Sequence, residues 1–206
     1  MSTPICAKCP FDLKDRKCFN SNGKSPAGCP TKEFSDVKDE ILDAYKDEEL
    51  KDFYLFCSDL SGDMKSRIEE TLMLASSMKY KRLGLAFCAG LRKEAAIVNS
   101  FFERKGFEVV SVICRCGNIK KGDFVESDDP KENKKGFCNP MLQARVLNEA
   151  KAEWNIVLGL CVGHDSIFMK YSKAMCTVLA AKDRVSGHNP LAPVYTMDSY
   201  YSFLKK

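Results

Sequence analysis

Four cysteines near the start of the chain form its most specific chemical pattern. Cys6 and Cys9 make a Cys-x-x-Cys pair, and Cys18 and Cys29-Pro30 follow. Cysteine thiolates ligate iron–sulfur clusters and structural zinc, and a closing Cys-Pro is typical of iron–sulfur sites. A zinc ribbon would carry two such pairs, and only one is present. We therefore predict a four-cysteine metal site, with a [4Fe–4S] cluster preferred to zinc and a disulfide ranked below both.

Four further cysteines stand at the predicted ends of secondary-structure elements. Cys88, Cys114 and Cys161 each follow an apolar stretch, and Cys138 precedes Asn139-Pro140, a helix N-cap and first-position pair. Helix N-termini stabilise thiolates, and several converging thiolates need a cation to offset their repulsion. The pattern predicts a second iron–sulfur cluster or metal at this place. The alternative is a set of buried apolar thiols beside a sheet.

The remaining three cysteines receive weaker assignments. Cys116 lies two residues after Cys114 and is either a substitute ligand or an exposed loop residue. Cys176 opens the last predicted strand, at the far end of the sheet, and is excluded from the site. Cys57 falls on the apolar stripe of a helix, which predicts a core position because free cysteine is usually buried.

Two histidines complete the reactive side chains. His164 follows Cys161 closely, and we predict a role in acid–base chemistry with Asp165 orienting it. His188 is the second catalytic candidate. The alternatives are a helix-cap residue for His164 and a turn residue for His188. The segment Lys182-Asp183-Arg184 either binds an anion or forms a structural ion pair.

An alternation of apolar strands and amphipathic helices positions these residues. Strands are predicted at 82–87, 108–113, 154–160 and 175–181, and helices at 93–105, 140–152 and 165–171. This pattern predicts an α/β fold with a Rossmann-like parallel sheet of about four strands and helices on both faces. The expected strand order is 2-1-3-4, and its carboxyl edge brings Cys88, Cys114, Cys138 and Cys161 to one rim.

The predicted domains are a cysteine-rich metal-binding segment, 1–33, and an α/β domain, 34–206, that includes N-terminal helices over 35–79. A helix break is expected at Ser61-Gly62-Asp63. The polar stretch 115–137 is either a lid or a solvated excursion. A short edge strand is considered at 192–195.

Composition excludes several classes of protein. The formal charge of +4, without a basic stripe, gives no indication of nucleic-acid binding. No apolar run approaches the roughly 20 residues that span a bilayer, and no signal peptide is apparent. We expect a cytoplasmic protein. Eleven cysteines there are metal ligands or reactive thiols rather than a disulfide framework.

The chain resembles domain-of-unknown-function family 1847, predicted metal-binding proteins of anaerobic bacteria and archaea. The motifs that carry the resemblance are Cys6-x-x-Cys9 with Cys18 and Cys29-Pro30, Leu85-Ala86-Phe87-Cys88-x-Gly90-Leu91-Arg92, Phe137-Cys138-Asn139-Pro140, Gly159-Leu160-Cys161-Val162-Gly163-His164-Asp165, and Lys182-Asp183-Arg184-Val185-x-Gly187-His188-Asn189-Pro190. Cys114 also matches the family pattern, whereas Cys57, Cys116 and Cys176 do not. The resemblance implies metal binding and supplies no reaction.

Two functions follow from these residues. The first is a protein with two cysteine-ligated centres, and its rim supports redox or sulfur chemistry on a small molecule or with a redox-protein partner. In this reading His164 transfers protons and the 115–137 loop closes over the site. The second is a non-enzymatic zinc-binding or redox-sensing interaction module. Nucleotide binding is discounted, because the turn after the first strand lacks GxGxxG.

Overall fold

The computed structural model describes residues 3–60, 64–125 and 127–205 of the chain. It divides into two compact units, Met1–Asp59 and Leu60–Lys206. Residues 34–59 therefore fall in the same compact unit as the cysteine-rich segment, and the helix over 67–77 falls in the unit of the sheet. The helix break predicted at 61–63 lies outside the described residues. Within those residues, no helix is long and apolar enough to cross a membrane.

The first unit contains three helices, α1 (Pro30–Glu33), α2 (Lys38–Ala44) and α3 (Glu48–Asp59). Pro30 occupies the first position of α1, where its missing N–H costs nothing. The helices of this unit bury no side chain among the described residues. The prediction that Cys57 is a core residue is wrong, because its side chain is exposed on a helix that has no packed core within the unit.

The second unit is built on a four-stranded parallel sheet. Its strands are β1 (Arg82–Phe87), β2 (Glu108–Ile113), β3 (Trp154–Leu158) and β4 (Cys176–Ala180). The strand order is β2-β1-β3-β4, which confirms the predicted topology. The central strands β1 and β3 are almost fully buried, as expected of strands covered on both faces.

In the part of the unit that the structure describes, six α-helices accompany the sheet. They are α4 (Arg67–Ser77), α5 (Arg92–Arg104), α6 (Pro130–Asn133), α7 (Pro140–Glu149), α8 (His164–Tyr171) and α9 (Ala192–Tyr195). Helix α9 occupies residues 192–195, so the prediction of a short edge strand there is wrong. Tyr195 N–H donates to the Leu191 carbonyl at 3.1 Å, so the bonding is local. Pro193 has no N–H to offer a sheet ladder.

Helices α7 and α8 pack together over one side of the sheet. Ala86, Val112 and Val157 form one cluster with Leu147 of α7 and Phe168 of α8, both fully buried. Helix α5 contacts β1 and β2 and buries a separate set of side chains. Each fully buried Leu or Phe favours folding by about 1.5–3 kcal/mol. This core holds the strand tips that carry the cysteines.

The stretch 115–137 folds back on itself. Phe137 N–H donates to the Ile119 carbonyl at 2.7 Å, and Lys121 N–H donates to the Lys135 carbonyl at 2.8 Å. Glu132 pairs with Lys121 and Lys135, which hold the pKa of its carboxyl at about 2. The excursion is therefore cross-linked by its own hydrogen bonds and ion pairs. Its role as a lid stays a prediction.

Candidate metal and thiol centres

Three of the four predicted rim cysteines meet at the carboxyl edge of the sheet. Cys88 and Cys114 are buried and Cys138 is half-buried. The sulfur atoms of Cys114 and Cys138 are 3.8 Å apart. The backbone N–H of Ala89 donates to Cys114 Sγ at 3.3 Å, and that of Gly90 donates to Cys88 Sγ at 3.5 Å. The start of the turn after β1 thus supplies a donor to each buried sulfur.

Strand register brings the two buried thiols together. Phe87 of β1 is paired with Ile113 of β2, so the next residue on each strand is a cysteine at the same edge. Cys138 joins them because the 115–137 excursion returns its chain to the sheet. The backbone N–H of Asn139 donates to the Cys114 carbonyl at 2.7 Å, immediately after Cys138. The side chain of Asn139 caps α7 by accepting from Leu142 N–H.

Gln143 forms hydrogen bonds to the ends of both β1 and β2. Its side chain is fully buried, and Nε2 donates to the Phe87 carbonyl at 3.2 Å and to the Val112 carbonyl at 2.8 Å. The Phe87 carbonyl directly precedes Cys88, and the Val112 carbonyl lies two residues before Cys114. Because the amide reaches both strands, it fixes their separation at the rim.

Lys182 is the functional residue that the sequence analysis did not assign to the site. It follows β4, and its Nζ lies 2.5 Å from Cys88 Sγ. Its side chain reaches from the β4 tip to the β1 tip, across the end of β3. The sequence did hold a signal for this residue: it lies two residues after a strand end, which places it at the same edge of the sheet as the cysteines.

Charge and burial give the two inner thiols different acidities. Burial raises the pKa of Cys88, but the Lys182 ammonium, the Gly90 N–H and a hydrogen bond from Cys114 together lower that pKa below its ordinary value. The pKa of Cys114 is raised to about 12, chiefly by burial, with the Ala89 N–H lowering it and the nearby sulfurs of Cys138 and Cys88 raising it further. Of these two thiols, Cys88 is therefore the one favoured as a thiolate.

The other cysteines of this unit lie at three different places. Cys161 is half-buried and lies three residues beyond the end of β3, and its place as a fourth rim ligand stays a prediction. Cys116 packs against the hydrophobic cluster of the sheet, α7 and α8, as Cys138 does, with its Sγ 3.9 Å from the Asn139 carbonyl. Cys176 lies at the amino end of β4, opposite the rim, where the sequence placed it.

The predicted catalytic residues occupy cap and turn positions. His164 begins α8, and Asp165 Oδ1 accepts from the backbone N–H groups of Gly163 and Ser166 at 3.0 and 2.8 Å. Both of these partners of Asp165 are backbone groups. His188 Nδ1 accepts from Asp183 N–H at 3.1 Å in a turn, where His188 has a φ of 69°. Acid–base roles for these three residues stay predictions.

The four N-terminal cysteines line one small cavity in the first unit. Cys6, Cys9, Cys18 and Cys29 all border a space of about 80 Å³. Three basic residues, Arg16, Lys17 and Lys24, border the same space. That volume is several times the minimum needed for one water molecule. The cavity therefore joins four soft donors to positive charge.

Backbone pairing shapes the walls of this cavity. Lys17 N–H donates to the Lys24 carbonyl at 2.9 Å, and Lys24 N–H donates to the Asp15 carbonyl at 2.7 Å, which closes a loop around Cys18. The Arg16 guanidinium spans the opposite wall, with Nε 2.7 Å from the Phe11 carbonyl and Nη2 3.3 Å from the Cys9 carbonyl.

The donor set fits a soft metal or an iron–sulfur cluster by its chemistry. As the side chains stand, no three His, Cys, Asp or Glu residues in ranges 3–60, 64–125 and 127–205 are close enough together to share one ion. The thiols of the N-terminal set would have to turn toward a common occupant of the cavity that they already share.

Comparison with known proteins identifies the family. A family model described as "Protein of unknown function (DUF1847)" matches residues 29–179, which include the rim cysteines and Cys29 but not Cys6, Cys9 or Cys18. An uncharacterized protein of Methanocaldococcus jannaschii is 40% identical over 174 residues, which cover 83% of this chain and 88% of the relative. The family resemblance seen in the sequence is confirmed. The chain belongs to the DUF1847 family.

Proposed function

We propose that this protein binds metal, and that Cys6, Cys9, Cys18 and Cys29 hold an iron–sulfur cluster of the [4Fe–4S] type. The observation that supports the proposal is the cavity that these four cysteines line together. They come from four separate points of a short, loop-rich segment, and among residues 3–33 no buried hydrophobic core explains why they meet. A metal centre would supply the missing stabilisation.

Charge around the cavity supports the same assignment. Four thiolates with a cluster carry net negative charge, and Arg16, Lys17 and Lys24 border the cavity. Positive charge and N–H donors near cluster sulfurs stabilise the bound state and tune its potential. A structural zinc site with the same four thiolates is the competing occupant.

Access to solvent favours an electron-transfer role for such a cluster. Cys6 and Cys18 are exposed and Cys9 and Cys29 are half-buried, so the site lies at the surface of its unit. A cluster at the surface can exchange electrons with a partner that docks on it. The expected partner is a redox protein, and that partner determines the reaction in which the electrons are used.

The experiment compares metal content in three full-length proteins purified without oxygen. They are the wild type, the variant with all four N-terminal cysteines changed to serine, and the control Cys57→Ser. Cys57 is a matched control because it is an exposed cysteine of the same unit. Iron, zinc and acid-labile sulfide are measured per chain, together with visible absorption.

The proposal predicts about four iron and four sulfide per chain, with a broad visible band, in the wild type and in Cys57→Ser. The quadruple variant should lose the iron, the sulfide and the band. Zinc without sulfide in the wild type would mean that the site binds zinc and not an iron–sulfur cluster. Unchanged metal in the quadruple variant would overturn the assignment of these four ligands.

A further inference from the structure

We propose that Cys88, Cys114 and Cys138 form a thiol–disulfide exchange site that reduces a low-molecular-weight disulfide, with Lys182 positioning the inner thiolate. The site lies in the second unit and does not depend on the N-terminal cluster. It would give the protein a chemical activity in addition to metal binding.

The three sulfurs form a series from the surface inward. Cys138 is half-buried, and its Sγ lies 3.8 Å from that of Cys114, which is 4% exposed. Cys88, which is 7% exposed, is the third member, because Cys114 and Cys88 directly follow Ile113 and Phe87, which are paired across β2 and β1. A disulfide bond is about 2.05 Å long, so Cys114 and Cys138 need a closer approach to bond. Cys138 directly follows the 115–137 excursion, whose described residues include the short helix α6 and a bridge between Lys120 and Gly136.

Exposure assigns the first step to Cys138. Its thiolate attacks one sulfur of a substrate R–S–S–R, forming a mixed disulfide on Cys138 and releasing R–S⁻, which takes a proton from water. A small substrate is favoured because the next two sulfurs are buried and leave no room for a folded partner at the reacting atoms. Attack by thiolate through a mixed disulfide is the general route of such exchange.

The second step uses the two inner thiols. Cys114 Sγ attacks the Cys138 sulfur of the mixed disulfide, and its proton passes to the thiolate of Cys88, which stands beside Cys114 at the ends of paired strands. The second R–S⁻ leaves and is protonated. The products are a Cys114–Cys138 disulfide and two R–SH molecules, so the two protein thiols supply the two electrons that the substrate gains. A dithiol reductant returns the site to its starting state.

Lys182 stabilises the Cys88 thiolate, which is the base of the second step. Its ammonium lies 2.5 Å from Cys88 Sγ, and the Gly90 N–H adds a second donor, so Cys88 is held as a thiolate that can accept the proton. Without that base, Cys114 stays protonated and attacks slowly, because the thiolate is the nucleophile. Lys182 acts through Cys88 and is a positioning residue.

A zinc ion at the rim is the main competing explanation. Two thiolates on one tetrahedral zinc, with bonds of about 2.3 Å, stand about 3.8 Å apart, which matches the Cys114–Cys138 separation. Against it, the lysine ammonium already offsets the Cys88 charge, and among the described residues no three candidate ligands lie close enough to share one ion. The experiment must separate metal ligation from exchange.

The test treats fully reduced, full-length protein with 2-hydroxyethyl disulfide without oxygen and maps disulfides by peptide mass spectrometry. Wild type should form the Cys114–Cys138 disulfide and release two thiols per substrate. Cys114→Ala should stop at the mixed disulfide on Cys138, and Cys138→Ser should not react at the rim. Lys182→Met should accumulate the mixed disulfide and resolve it about tenfold or more slowly.

Controls keep the test independent of folding and of metal. Cys176→Ser, away from the rim, should behave as wild type, and circular dichroism confirms that each variant is folded. A wild type that keeps the mixed disulfide on Cys138, or equal resolution rates in Lys182→Met and wild type, would overturn the proposal. So would metal that is lost from the Cys138→Ser variant while the N-terminal cluster remains. Failure of the N-terminal cluster assignment would leave the disulfide mapping and the resolution rates unchanged.

Discussion

The ammonium of Lys182 should control how much of Cys88 is ionised. Its Nζ lies 2.5 Å from Cys88 Sγ, and the sulfur is 7% exposed, so water screens the pair weakly. A hydrogen bond to a charged group contributes about 1.5–3 kcal/mol. The change Lys182→Met keeps most of the side-chain length and removes this bond. We therefore expect the thiolate-to-thiol ratio of Cys88 to fall by about tenfold to about 150-fold at a fixed pH.

Alkylation of Cys88 as a function of pH measures this ratio. Reduced protein is treated with iodoacetamide at a series of pH values, and the labelled Cys88 peptide is quantified by mass spectrometry. Burial of Cys88 lowers its absolute alkylation rate, so the wild-type and Lys182→Met profiles of rate against pH are compared by their shape. The Lys182→Met profile should shift to higher pH, because the pKa of Cys88 rises when the ammonium is lost.

A lysine at the other end of the same strand is the matched control. Lys173 precedes β4, whereas Lys182 follows it, so Lys173→Met removes one charge far from the rim. That variant should keep the wild-type profile. A Lys182→Met profile that coincides with those of wild type and Lys173→Met would refute the reasoning that Lys182 stabilises the Cys88 thiolate.

Three further predictions follow from local geometry. Gly159→Ala should lower the free energy of unfolding by about 2–4 kcal/mol in chemical denaturation, because Gly159 has a φ of 62° and a Cβ there would lie 2.1 Å from Leu91 Cδ1. Gly187→Ala, with a φ of 63° and open space, should lose only about 1–2 kcal/mol, and equal losses would contradict the clash. Because the pKa of Cys114 is raised in the folded state to about 12, its stabilising effect is complete below pH 9.0 and is lost as pH rises toward 12. The free energy of unfolding should therefore fall over that range by up to about 1.4 kcal/mol per pH unit more steeply in wild type than in Cys114→Ala, and parallel curves would argue against a buried neutral thiol. Arg16→Ala should reduce iron bound at the N-terminal site by about tenfold, measured by metal analysis, because it removes the bonds to the Phe11 and Cys9 carbonyls, and full occupancy would show that the arginine is dispensable.

The sheet could be predicted from the sequence because its signal is local and repeated. Alternating apolar strands and helices, with the handedness of parallel connections, leave few strand orders, and β2-β1-β3-β4 is the one observed. The meeting of Cys88 with Cys114 follows from the same topology, since both residues come directly after paired strands. Cys138 was also placed correctly, because the helix-start signal of Asn139 and Pro140 fixed its position.

The contacts that the sequence could not supply depend on side-chain reach and on packing. Lys182 lies 94 residues from Cys88 along the chain, and its contact with Cys88 depends on a side chain long enough to span the β3 tip. The position of Cys57 was predicted from an apolar stripe, but a stripe becomes core only when another element covers it. Cys161 lies three residues beyond β3, and its role as a ligand stays a prediction, because a place on the rim does not fix where the sulfur lies.

Acid-labile sulfide and iron in the full-length protein, purified without oxygen, test the central claim most directly. The account predicts sulfide and iron in equal amounts, about four of each per chain, and a broad visible band that disappears on chelation or exposure to air. A colourless protein without sulfide or iron, prepared under conditions that preserve known clusters, would contradict an iron–sulfur centre at Cys6, Cys9, Cys18 and Cys29.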